Sequence, residues 1–210
     1  SLAANNASIA VTMSEAVYNT NGGSGALQAS DFAFSISGGV ATLSSATPSS
    51  ISSSGNVYTL GIGLSGTPNG SETLTVIPVA NSIYDAAGNV ASTSQSNNSV
   101  SLNDKLEPTI SSVSLDADNL TLAVTMSEAV YNTNGGSGAL EASDFTLSIS
   151  GGTATLTSAT PTSILISGNV YTLGIGLSGI ANSSEIITVT PVDNGIYDLV
   201  GNEAATSQNN

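Results

Sequence analysis

Histidine, cysteine, arginine and tryptophan are absent from this 210-residue chain, and its single basic side chain is Lys105. Each absence removes a class of chemistry. Without cysteine there is no disulfide, thiolate nucleophile, zinc knuckle or iron–sulfur ligation; without histidine the usual general base and the commonest transition-metal ligand are gone. Serine–histidine and cysteine–histidine catalysis are excluded, and one lysine cannot clamp phosphate or neutralise a nucleic-acid backbone. Nucleic acid and anionic membrane surfaces are not expected as partners. Lysine–asparagine cross-links are excluded too, since they need a buried lysine in every domain.

Charge of either sign is scarce, at 8% of residues against about 25% in ordinary globular chains. Leu, Ile, Val and Phe nevertheless make up about 24% of the chain, above the level of roughly 20% needed to bury a core. A folded protein is expected. No apolar run approaches the roughly 18 residues that span a bilayer, and the N-terminal SLAANNASIA lacks the basic and apolar regions of a signal peptide. The chain therefore reads as a soluble, mature fragment without membrane insertion.

What is present is a repeat. At an offset of about 113 residues Ser1 pairs with Ser114, and the alignment runs without a gap to Asn97 against Asn210 at roughly seven identities in ten. TMSEAVYNTNGGSGAL recurs at Thr12 and Thr125, and GNVYTLGIGLSG at Gly55 and Gly168. The expected organisation is a first repeat over 1–103 lacking its first strand, a linker over 104–108, and a second repeat over 109–210 lacking its last strand. A piece of a longer array with a period of about 110 residues is the simplest origin; a natural two-domain chain with frayed ends is the alternative.

The apolar residues alternate with a period of two. Leu120, Leu122, Val124 and Met126 form one series, Phe145, Leu147 and Ile149 a second, and Tyr171, Leu173, Ile175 and Leu177 a third. Gly-Gly pairs at Gly38 and Gly151 suit hairpin turns. No long segment carries a helical period, although GALQASDF and GALEASDF can each hold a short turn. The expected fold is all-β: two tandem sandwiches of about seven antiparallel strands each. In the second copy the strands are expected near Ile110 to Leu115, Leu120 to Met126, Phe145 to Ser150, Thr153 to Thr157, Val170 to Leu177, Ile186 to Pro191, and from Glu203 onward.

Alternating strand directions bring two loops and the incoming linker to one end of the sandwich. The loop after Met126 carries Glu128, Glu141 and Asp144; the loop after Pro191 carries Asp193, Asp198 and Asn202; the linker adds Asp104 and Glu107. Carboxylates converging without basic partners repel, so water or a cation must separate them. Calcium fits, because it takes six to eight oxygen ligands from carboxylates, carbonyls and Asn side chains. The candidate ligands are Glu128, Asp144 and Asp198, with Asp104 closing the site, and Glu15, Asp31 and Asp85 as the equivalents in the first copy. Structural alternatives stand beside each. Asp31 and Asp144 suit caps on short turns, YDAAGN suits an Asx-turn followed by a left-handed residue, and the acids could simply solvate the surface. No EF-hand loop is present, and NGGSG lacks the aspartate of the calcium-binding nonapeptide repeat.

Tyr58 and Tyr171 fall in strand alternation and are expected in the core. Tyr18 and Tyr131 flank the polar loop as anchors, six tyrosines without tryptophan making a poor sugar platform. Sequons such as Asn69-Gly-Ser and Asn182-Ser-Ser arise by chance in so serine-rich a chain. Paired carboxylates could in principle hydrolyse glycosides. Duplicated acids on loops facing a neighbouring domain argue against it, and no enzymatic activity is expected.

With SEAVYNTN, SDF and IYDAAGN in view, the chain resembles the bacterial immunoglobulin-like repeats of adhesins and other secreted or cell-surface proteins. The resemblance covers the chain twice and rests on TMSEAV (Thr12 to Val17, Thr125 to Val130) and the Y-D-x-x-G-N loop (Tyr84 to Asn89, Tyr197 to Asn202). It implies extending units on the outside of a cell, stiffened by calcium at their junctions, with neighbouring identical repeats as partners. Two other functions remain open: a glycan- or protein-binding module, and a filament that self-associates when SVSL or TISSVSL is donated as a strand.

Overall fold

The chain divides into two compact units, Ser1–Leu106 and Glu107–Asn210, and the expected linker straddles that division. This computed structural model describes residues 1–208, so the last two positions of the expected second repeat lie outside the described residues.

The first unit contains β1 (Ser8–Thr12), β2 (Phe32–Ser37), β3 (Thr42–Leu43), β4 (Ile51–Ser54), β5 (Val57–Gly61), β6 (Leu64–Ser65), β7 (Thr73–Pro78) and β8 (Ser99–Ser101). Its sheets run β1-β5-β4 and β2-β7-β8, with β3 and β6 as a separate pair. The second unit contains β9 (Ile110–Leu115), β10 (Thr121–Met126), β11 (Phe145–Ser150), β12 (Thr155–Leu156), β13 (Ile164–Ser167), β14 (Val170–Gly174), β15 (Leu177–Ser178) and β16 (Ile186–Pro191). There the sheets run β13-β14-β10-β9 and β11-β16, with β12 paired to β15. Every ladder is antiparallel. The protein is all-β, as the period of two requires.

That period also places the cores. In β10 the odd and even positions separate cleanly, with Leu122, Val124 and Met126 buried. Cross-strand partners bury together: Val124 faces Tyr171 and Leu122 faces Leu173, while Phe145 faces Pro191 and Leu147 faces Val189 on the other sheet. Phe145 meets Tyr171 across the sheets with ring centroids 6.0 Å apart, and Phe32 meets Tyr58 at 6.2 Å in the first unit. Two sheets layered face to face in this way have the character of a sandwich. Burial raises both tyrosine hydroxyls above their ordinary pKa, with neighbouring Tyr18 and Tyr131 adding to the effect.

Three local expectations are corrected. The Gly-Gly pairs do not close hairpins, because β2 pairs with β7 and β3 with β6; the tight hairpin joins β4 to β5 through Gly55, at φ 59°. β4 and β13 escape a period-of-two search, since they lie at a sheet edge where Leu165 and Ile166 are exposed. No strand begins at Glu203 among the described residues; that residue makes one isolated bridge to Tyr197.

Candidate functional site

The two acidic loops of each unit do meet. Tyr18 and Tyr84 exchange backbone hydrogen bonds of 2.7 and 2.8 Å, and Tyr131 and Tyr197 do the same in the second unit. These tyrosines anchor one loop to the other through their backbones. The chain entering the second unit arrives at the same end: Ser127 N–H donates to the Thr109 carbonyl (2.7 Å), and Thr109 N–H donates to Ser127 Oγ (2.9 Å). Glu128 follows directly.

Most of the candidate acids hold backbone. Asp31 and Asp144 each end a 3-10 turn, Ala29–Asp31 and Ala142–Asp144. Their carboxylates accept the N–H of Gln28 and of Glu141, each at 2.7 Å. Burial raises the Asp144 pKa, partly offset by that N–H donor and reinforced by the Glu141 charge. Asp85 accepts the Asn89 N–H at 2.8 Å and its side-chain amide at 2.7 Å. The Asn89 amide is the main reason the Asp85 pKa is held below its ordinary value. Asp198, only 1% exposed, accepts three N–H groups on Oδ1, from Val200, Gly201 and Asn202, at 2.7 to 2.9 Å. Its Oδ2 accepts the Asn202 side-chain amide at 2.7 Å. Gly88 and Gly201 sit at φ 89° and 95°, where a Cβ would also strike Asn21 and Asn134. The Asx-turn is therefore real in both copies.

One pair of candidates is brought together within a unit. Carboxylate oxygens of Glu128 and Asp198 lie within 4.8 Å of one another, close enough to share a metal ion. Asp144 is outside that pair. Among the described residues Glu15, Asp31 and Asp85 do not form a group of three acids that could hold an ion, and Glu15 is exposed where Glu128 is half-buried. Asp104 accepts the Leu106 N–H at 2.9 Å, and the Lys105 N–H donates to the Pro68 carbonyl at 2.8 Å. These bonds fix the end of the first unit.

No family model, curated protein or solved structure matches the chain.

The sequence reading overlooked a second pair of acids, Glu72 and Glu185. Glu72 is fully buried. Its carboxylate accepts the N–H groups of Val40 (2.8 Å), Ala41 (2.9 Å) and Asn69 (3.1 Å), pinning the Gly38–Gly39 turn. Burial pushes its pKa up, but these donors outweigh burial and hold it below the ordinary value. Glu185 repeats the arrangement with Thr153, Ala154 and Asn182. Its pKa is lowered to about 2, chiefly by the Ala154 N–H. A Cβ on Gly39 or Gly152 would collide with the carboxylate, which is why glycine stands there. A glutamate opening an apolar strand 33 residues after a glycine pair, in both copies, was the available signal.

Proposed function

We propose that the chain consists of structural spacer repeats, of immunoglobulin-like type, from an extracellular adhesin or surface fibre, rigidified by a cation at the loop end. The observation that carries this reading is the duplicated use of the acids. Asp31, Asp85 and Glu72, like Asp144, Asp198 and Glu185, spend their carboxylates on backbone N–H groups that hold loops in place. Copies that conserve such restraints suit a part whose work is mechanical, since a spacer needs equivalent units. Neighbouring repeats of the same kind are the natural partners.

Calcium is the proposed ion, with Glu128 and Asp198 as ligands and Asp104, which the sequence places on the connecting segment, as a third. Asp198 Oδ1 already takes three donors, so the ion would be reached through Oδ2. Calorimetric titration with calcium, and melting with and without a chelator, test the assignment. The expected result is saturable binding, a melting temperature several degrees higher with calcium, and loss of both effects in Glu128→Gln. An unchanged melt in the unsubstituted chain overturns the cation.

A further inference from the structure

Four asparagines of the chain stand directly before glycine: Asn21, Asn69, Asn134 and Asn194. In this dipeptide the backbone can attack its own side chain, because glycine carries no Cβ to crowd the attacking nitrogen. Asparagine counts among the thermolabile residues. How far the attack proceeds depends on how firmly the fold holds the amide and the nitrogen, and the four sites differ in that respect.

Asn21 and Asn134 are equivalent positions at the tip of the long polar loop. In each unit the segment Asn-Gly-Gly is closed by a bridge, Thr20 to Ser24 and Thr133 to Ser137. Both asparagines and the glycine after each are exposed. Neither side-chain amide makes a hydrogen bond among the described residues. Nothing lies within 4 Å of where a Cβ on Gly22 or Gly135 would stand, so water and base reach the peptide freely. Asn69 and Asn194 are held instead. Asn69 is half-buried, its Oδ1 accepts the Ser71 N–H at 3.2 Å, and its own N–H is bonded to Glu72 at 3.1 Å. The Asn194 amide donates to Asp193 at 2.9 Å and accepts the Tyr197 hydroxyl at 3.3 Å. The nitrogen that would attack it belongs to buried Gly195 and donates to the Val192 carbonyl at 3.0 Å.

We propose that Asn21 and Asn134 are sites of spontaneous covalent modification, passing through a succinimide to aspartate and isoaspartate, while the fold protects Asn69 and Asn194. The nitrogen of Gly22 or Gly135 loses its proton to solvent base and attacks the asparagine Cγ. A C–N bond forms, the Cγ–Nδ2 bond breaks, and ammonia leaves with a proton taken from water. Water then opens the ring at either carbonyl, so water is consumed, ammonia is released, and nothing is oxidised or reduced. Each event exchanges an amide for a carboxylate in a chain of 15 acids and one lysine. The new acid lies against Gly88 or Gly201, beside the Asx-turns of Asp85 and Asp198, where like charges repel. Isoaspartate also lengthens the backbone inside the short bridged loop. The proposal is independent of calcium and of cellular location, because it rests on the freedom of two side chains and the restraint of two others.

The test ages the whole chain at mildly alkaline pH, folded and in urea, and follows it by peptide mass mapping and by methyl transfer from an isoaspartate-specific methyltransferase. Cleavage at Lys105 leaves one free and one held site in each half, and a protease that cuts at acidic residues separates them. In the folded chain Asn21 and Asn134 should convert about fivefold or more faster than Asn69 and Asn194, the factor that one retained hydrogen bond is worth. In urea the four rates should converge. Asn134→Gln should silence the early signal in the second half and leave that of the first half unchanged. Equal rates at all four sites in the folded chain, or folded Asn21 and Asn134 staying intact while the unfolded chain reacts, overturn the proposal.

Discussion

Glutamate 72 and its counterpart Glu185 behave as structural parts, and their replacement has a computable direction. Glu72→Ala removes the acceptor for the N–H groups of Val40, Ala41 and Asn69. Leaving buried donors unpaired costs about 1–3 kcal/mol, enough to lower the melting temperature of a domain this size by roughly 4–20 °C; differential scanning calorimetry measures it. Acid should act through the same groups. The folded pKa of Glu185 lies at about 2 against an ordinary 4.5, so its contribution is complete above about pH 4.5 and is lost as pH falls towards 2. Asp144 has the opposite sign: its raised pKa costs stability at neutral pH and returns it on acidification. Melting temperature measured from pH 6 to pH 2 should therefore fall on the acid side, less steeply in Glu185→Gln and more steeply in Asp144→Asn. These glutamates were hard to find because most of the N–H groups they accept come from a turn about thirty residues away, so no local motif marks them. The Asx-turns of Asp85 and Asp198 were legible, since Asp, Gly and Asn at fixed offsets make one local hydrogen-bonded loop.

At the scale of the element, alternation placed β11 with its observed limits and β10 to within one residue, because a strand buried on one face must show a period of two. It failed where that condition fails. β4 and β13 are edge strands, with Ser52 and Ser53 or Leu165 and Ile166 turned to solvent. The Gly-Gly turns looked like hairpins because two flexible residues separate two apolar runs. Pairing, however, is decided by residues about thirty positions away: β2 takes β7, and Glu72 captures the turn between β2 and β3. Gly39→Ala and Gly152→Ala should each destabilise their unit, since the added methyl meets the carboxylate and φ is positive. The expected loss exceeds about 1 kcal/mol, read by denaturant unfolding. Gly55→Ala, with open space around its Cβ, should cost less.

For the whole molecule the balance of 15 acids to one lysine leaves one trypsin site. Lys105 is exposed, but its N–H is bonded to Pro68. Trypsin should therefore cut the folded chain more slowly than the unfolded one, releasing two fragments that stay folded because each unit has its own core. With Asp104 as a calcium ligand, calcium should slow the cut further; equal rates with ion and with chelator, followed by electrophoresis, would remove Asp104 from the site. By itself the sequence determined the all-β class, the duplication, the meeting of two acidic loops at one end and the chemistries the chain lacks. Those follow from composition, from the repeat and from the period of two that strands buried on one face obey. Only the tertiary structure decided which acids serve the backbone, that Glu128 approaches Asp198 while Asp144 is outside that pair, and that β2 pairs with β7 and not with β3. The physical reason is that a carboxylate's role depends on which N–H groups and charges surround it, and those neighbours come from segments far apart along the chain.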